Sequence, residues 1–196
     1  MIPRTCACFL LVMSCFWGAA CRIRPPATVP SRMIEPQLIE PQLAEPPKQG
    51  NGGAGSIPVR LLDTQARGHI GRRLLHQQPN SELTEDPVWR WSSAPDRYLD
   101  LVLRMELSAN PAVRLVDSAA ATSIAATLLV WNVESAAEKR LVGVVEFQFI
   151  GTDRVVRTQV VRASEPISAD LPGNLADAAG SLLRRLASDG VKRMAR

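Results

Sequence analysis

Between residues 93 and 195 the chain alternates long apolar-patterned segments with short polar breaks, and the period of each pattern predicts an element. Tyr98, Leu99, Leu101, Val102, Leu103, Met105 and Leu107 form a broad stripe at helical spacing. Ser93-Ala94-Pro95-Asp96 opens that stripe with a cap-like serine, a proline in the first turn and an acid three positions after the serine, and Asn110-Pro111 closes it. A helix ending at Ala109 follows. Next, residues 112–116, 123–133, 141–150 and 154–163 are rich in Val, Ile, Leu, Phe and Thr and predict four strands. In the third, Leu141, Gly143, Val145, Phe147 and Phe149 alternate with Val142, Val144, Glu146, Gln148 and Ile150, so one face is apolar and the other mixed. Gly151-Thr152-Asp153 marks a hairpin to the fourth. Leu175, Ala179, Leu182, Leu183 and Leu186 then recur at helical spacing behind Pro172 and predict a closing helix over 171–195. Upstream, residues 58–63 and 68–76 read as two short strands before the turn-rich Pro79-Asn80-Ser81. The expected order is ββαββββα, an α+β fold whose mainly antiparallel sheet carries two helices on one face.

The first 20 residues follow another logic. Arg4 precedes an apolar run from Phe9 to Trp17 and the small residues Gly18-Ala19-Ala20, the order of a secretory signal peptide. The run is too short for a membrane helix, which needs about 20 apolar residues. Small residues directly before a cysteine resemble the lipobox of bacterial lipoproteins, with Cys21 as the residue that is lipidated. Gly18 departs from the leucine usual three positions before that cysteine. Several acyl chains, each buried methylene contributing about 0.8 kcal/mol, would hold the mature chain on a membrane surface. Arg22 rather than Asp after the cysteine resembles cargo sorted to the outer membrane.

Residues 22–56 contain seven prolines, no aromatic residue and the tandem repeat Ile34-Glu35-Pro36-Gln37-Leu38, Ile39-Glu40-Pro41-Gln42-Leu43, Ala44-Glu45-Pro46. Proline every fifth residue disfavours helix and ladder alike, and Gly50-Asn51-Gly52-Gly53 adds a hinge, so residues 21–56 are expected to be a lipidated tether with no core of its own. The three parts are then a signal peptide (1–20), the tether (21–56) and one domain (57–196).

Composition narrows the chemistry. The four cysteines all lie in the first 21 residues, which excludes a disulfide framework in the domain. A formal net charge of +4 over 196 residues is too weak a field to argue for nucleic acid. His69 and His76, the two histidines, would face opposite sides of one strand, so no shared metal site is expected. No nucleophile elbow, zinc-protease helix, nucleotide-binding glycine loop or paired-cysteine spacing occurs, and no enzyme, cofactor or metal is expected. Trp89 and Trp91 would point the same way from an extended segment; Trp91 is expected to pack under the following helix, while Trp89 and the neighbouring Arg90 are the candidates for contacting a partner. Trp131 is expected in the core. Arg72 and Arg73 would face opposite ways, so that at most one lines a groove.

The exported leader, the strand with Gly71-Arg72-Arg73, the segment Arg90-Trp91-Ser92-Ser93-Ala94-Pro95 opening a helix, and the closing helix occur in one order. That order resembles the ABC-type transport auxiliary lipoprotein family, over about residues 58–195. The chain departs from it in its long proline tether and in having Arg60-Leu61-Leu62 where members often carry aromatic residues. The resemblance implies an outer-membrane-anchored, periplasm-facing, non-catalytic adaptor of a transport system for lipids or hydrophobic compounds. Its partners would be a mammalian-cell-entry-type protein, an ABC permease complex and the lipid itself. A structural or regulatory envelope lipoprotein, such as an activator of a cell-wall synthase, fits the tether and domain as well.

Overall fold

The structure is a computed structural model and describes residues 30–38, 56–135, 138–167 and 172–194. The expected signal peptide, Cys21 and the tether apart from residues 30–38 lie outside the described residues.

The sheet is built on β7 (Thr122–Ser135), which pairs antiparallel with β8 (Lys139–Ile150), itself antiparallel to β9 (Val156–Pro166). Along its other edge β7 takes three short strands in parallel: β2 (Ile57–Leu61), β3 (Gln65–Ala66) and β4 (Arg73–Gln77). β4 pairs antiparallel with β5 (Leu83–Trp91), and β6 (Val113–Leu115) lies parallel to β2. The expected α+β class, with most ladder pairs antiparallel, is what the chain adopts.

The register of β7 shifts between Leu128 and Val130. Before the shift Ile124, Ala126 and Leu128 are buried; after it Trp131 and Val133 are. One extra residue, Leu129, flips the alternation, and the bulge keeps both halves of a 14-residue strand facing one core. In β8 the alternation read from the sequence holds: Leu141, Val145, Phe147 and Phe149 are buried. They lie under α2 (Pro172–Met194), which packs on the sheet and on α1 (Pro95–Ala109); α1 itself lies over β6, β3 and β7.

Three strands lie where none was expected. The most consequential is β1 (Arg32–Ile34), inside the segment expected to be bare tether. It adds in parallel to β5, pairing Arg32 with Trp89 and Ile34 with Trp91, and Ile34 is 2% exposed within the core. The tether reading is therefore corrected for residues 30–38, because a three-residue strand between prolines is stabilised by a neighbouring edge rather than by its own pattern. β5 was obscured by Pro87, which sits in a bulge: Asp86 accepts hydrogen bonds from the backbone N–H of Val88 (2.8 Å) and Trp89 (2.7 Å) and supplies the partners that the ladder does not. The strand expected over 68–76 begins only at Arg73, since residues 67–70 turn with the Ile70 N–H donating to the Arg67 carbonyl.

The entry to α1 also differs from the expected cap. Ala94 is the N-cap and makes no side-chain cap bond. Instead the Ser93 N–H donates to the Tyr98 hydroxyl at 2.9 Å, and one carboxylate oxygen of Asp96 is buried without a hydrogen bond. With Pro95 in the first turn one orphan amide is removed at the outset; the amide that Tyr98 folds back to take, that of Ser93, lies just before the N-cap.

Candidate functional site

The turn before β4 and the facing strands β4 and β5 enclose an open cavity of about 590 Å³. Arg72, Arg73 and Arg90 give it a cationic wall, with Glu85 and His69 beside them, and Leu75 and Leu83 an apolar one. Both Arg72 and Arg73 line it, against the expectation of opposite faces, because Arg72 precedes the strand and escapes its alternation. Arg72 donates from Nε to the Trp91 carbonyl at 3.2 Å and from Nη2 to the Met33 sulfur at 3.7 Å, which fixes it between β1 and β5. Arg73 pairs with Glu85 across the ladder. Arg90 stands directly opposite Arg73 in the β4–β5 register and has no ion-pair partner among the described residues. Two like charges face each other there with one carboxylate between them, an arrangement that an acidic group would relieve.

A smaller cavity of about 170 Å³ shares His69, Leu75 and Leu83 and reaches Asn132. Asn132 is 2% exposed; its amide donates to Gln77 Oε1 at 2.9 Å, while its carbonyl oxygen has no partner. The two cavities together offer a cationic mouth, an apolar middle and one free acceptor. Among the described residues no three His, Cys, Asp or Glu side chains converge as metal ligands.

Trp89 and Arg90, expected together as partner contacts, lie on opposite faces of β5. Arg90 lines the cavity; Trp89 is half-buried against the core, with the Arg32 guanidinium 5.5 Å above its ring. Trp91 is fully buried, and Trp131 is buried beside it.

Sequence reasoning missed the pairing of His76 with Asp86, whose Nε2 and Oδ2 lie 2.9 Å apart. Burial pushes the Asp86 carboxyl up, but the backbone N–H groups of Trp89 and Val88 and the His76 ring outweigh it and hold the group below its ordinary value. The pair fastens β4 to the bulge of β5. The available signal was Asp86 directly before Pro87, a turn-forming dipeptide. Also missed was the contact of Glu35 with Ser92 and, at 3.0 Å, with the Tyr98 hydroxyl. Burial, with the Glu35 carboxylate beside it and against the Ser92 hydrogen bond, raises the Tyr98 hydroxyl above its usual range.

No protein-family model and no curated protein sequence matches the chain. Among solved structures, the protein XCC0632 of Xanthomonas campestris, described with the family DUF330, is similar at a TM-score of 0.60 and 13% identity, covering 85% of each chain. The hypothetical protein CT253 of Chlamydia trachomatis is similar at a TM-score of 0.54 and 12% identity, over 70% of this chain and 95% of its own. At such identities the likeness is one of fold.

Proposed function

We propose that the chain is an outer-membrane-anchored lipoprotein facing the periplasm that serves as a non-catalytic adaptor of an ABC-type transport system for lipids or other hydrophobic compounds. The observation that carries this reading is the lipobox-like order of Gly18-Ala19-Ala20-Cys21 behind a short apolar run, with Arg22 after the cysteine. The folded unit is compatible with such docking: one cavity presents Arg72, Arg73 and Arg90 beside the apolar Leu75 and Leu83. Among the described residues no helix is long and apolar enough to cross a membrane. The transport role rests on the resemblance to the auxiliary lipoprotein family. In this role Arg90 and its neighbours Arg72 and Arg73 meet acidic groups of a mammalian-cell-entry-type protein or of the lipid in transit.

The test is the anchor. Wild-type chain is labelled by a palmitate analogue and fractionates with the outer membrane, and Cys21→Ala abolishes both the label and the cleavage before residue 21. Persistent labelling of that variant would remove the basis of the reading.

A further inference from the structure

The first copy of the pentapeptide repeat is held in a groove between β5 and α2 by contacts that use almost all of its residues. Ile34 is buried opposite Trp91, and its carbonyl accepts from the Ser92 N–H at 2.9 Å. Glu35 reaches Ser92 and Tyr98. Pro36 is buried, the Gln37 N–H donates to the Ala176 carbonyl at 3.1 Å, and Arg184 donates to the Gln37 carbonyl at 3.3 Å. That carbonyl lies 2.1 Å from where a Cβ on Gly180 would stand, so only glycine admits the segment against the helix.

The next five residues, Ile39-Glu40-Pro41-Gln42-Leu43, repeat this occupant without change. We propose that the groove is a binding site for the pentapeptide Ile-Glu-Pro-Gln-Leu that accepts either copy, residues 39–43 replacing residues 34–38 in a second register. Every contact of the pentapeptide is available to the second copy, because the side chains and the backbone donor are the same. In that register Leu38 takes the place of Met33, and Gln37 takes that of Arg32, which loses the stack on Trp89 and biases the balance toward the first copy. The third, degenerate copy does not fit. Ala44 would leave the seat of Ile34 underfilled, and Pro47, in the place of Gln37, has no N–H for the Ala176 carbonyl. Thirteen residues, 44–56, remain to reach β2 and span about 43 Å when extended. The exchange moves five residues to the N-terminal side of the groove, about 16 Å of extended polyproline chain. The segment ahead of the domain thus has two lengths.

The experiment uses the full chain with its four cysteines changed to serine, reading thermal midpoints and disulfide trapping. Ile34→Asp alone lowers the midpoint by less than half as much as Ile34→Asp with Ile39→Asp, because the second copy fills the groove. Gly180→Ala, which favours the helix but fills the groove, reproduces the double variant's loss of protection of the β5 edge in hydrogen exchange. In the Ile34→Asp background Gln37→Cys with Trp89→Cys forms a disulfide within one molecule, whereas Arg32→Cys with Trp89→Cys does so in the Ile34 parent. The proposal is overturned if Ile34→Asp alone equals the double variant, if neither lowers the midpoint, or if the Gln37→Cys pair stays reduced or bridges only two molecules.

Discussion

The rings of Trp91 and Trp131 meet 5.7 Å apart at a tilt of 59°, and both indole N–H groups are buried without a hydrogen-bond acceptor. This pair joins the end of β5 to β7 just past its bulge. Aromatic contact and buried area stabilise it, while two unpartnered donors cost some of that gain.

Truncation should therefore be severe and conservative replacement mild. Trp91→Ala is expected to cost about 3 to 5 kcal/mol, as removal of core aromatics does. Trp91→Phe keeps most of the ring and removes one orphan donor, so its cost should stay below about 2 kcal/mol. Trp89→Ala, on the half-buried side under Arg32, should cost about 1 kcal/mol or less. Urea unfolding of the three variants measures the series; equal losses for Trp89→Ala and Trp91→Ala would contradict the placement of the two rings.

Removing the N-terminal segment should destabilise the domain. A chain starting at residue 57 lacks Ile34 and the β1 pairing, and loss of that one buried side chain alone is worth about 2 kcal/mol. Compared with a chain starting at residue 30, its urea midpoint should fall. Coincident curves would show that β1 adds nothing to the fold.

Tyr98 is the chain's one tyrosine, so its ionisation can be followed alone by phenolate absorbance. Burial is the first cause of its raised value and Glu35 adds to it. A group raised on folding gives stability that is complete below the ordinary tyrosine value of about 10 and is lost as pH climbs through the folded value. Phenolate should thus appear later in the folded chain than in urea. Tyr98→Phe should flatten the alkaline fall in stability; an unchanged alkaline limb would contradict the Glu35–Tyr98 contact.

Asp86 acts at the other end of the scale. Its carboxyl is held low by the N–H groups at the β5 bulge and by His76, against its burial. The stability it gives is therefore complete above the ordinary carboxylate value of about 3.9 and is lost as pH falls through the folded one. Asp86→Ala should lower stability at neutral pH by about 1 to 3 kcal/mol, the cost of stranding hydrogen-bonding groups, and remove part of the acid-side slope. Stability curves against pH for the two chains check both.

What could be read from the sequence follows from how regular each pattern is. α1, α2, β7 and β8 are long, and their burial follows the helical or alternating period; the bulge at Leu129 was hidden, because an inserted residue keeps the composition apolar on both sides of the flip, and in β9 only Val161 and Ala163 are buried while residues 156–160 are exposed. β1 was illegible because it is three residues set between Pro30 and Pro36, and β5 because Glu85, Asp86 and Pro87 interrupt it; their stability comes from each other's backbone edges and from Asp86. The helix entry misled in a similar way: Ser93 and Asp96 fit a capping pattern, but the hydroxyl of Tyr98, one turn into the helix, takes the amide first. At the cavity, alternation separated Arg72 from Arg73, whereas the bend before β4 brings both to one wall. Arg90 was recognised, but its distance from Trp89 across the strand was not.

In the proposed role Arg90 and its cavity meet a transport partner while the chain is anchored through Cys21. Photo-cross-linking in the native envelope from a benzoylphenylalanine at position 90 tests it most directly, with position 154 on the distant β8–β9 turn as control. A product is expected at position 90, identified by mass spectrometry as a mammalian-cell-entry-type or permease component and lost in Cys21→Ala. A product that contains a cell-wall synthase, or none above the position-154 control, would contradict it.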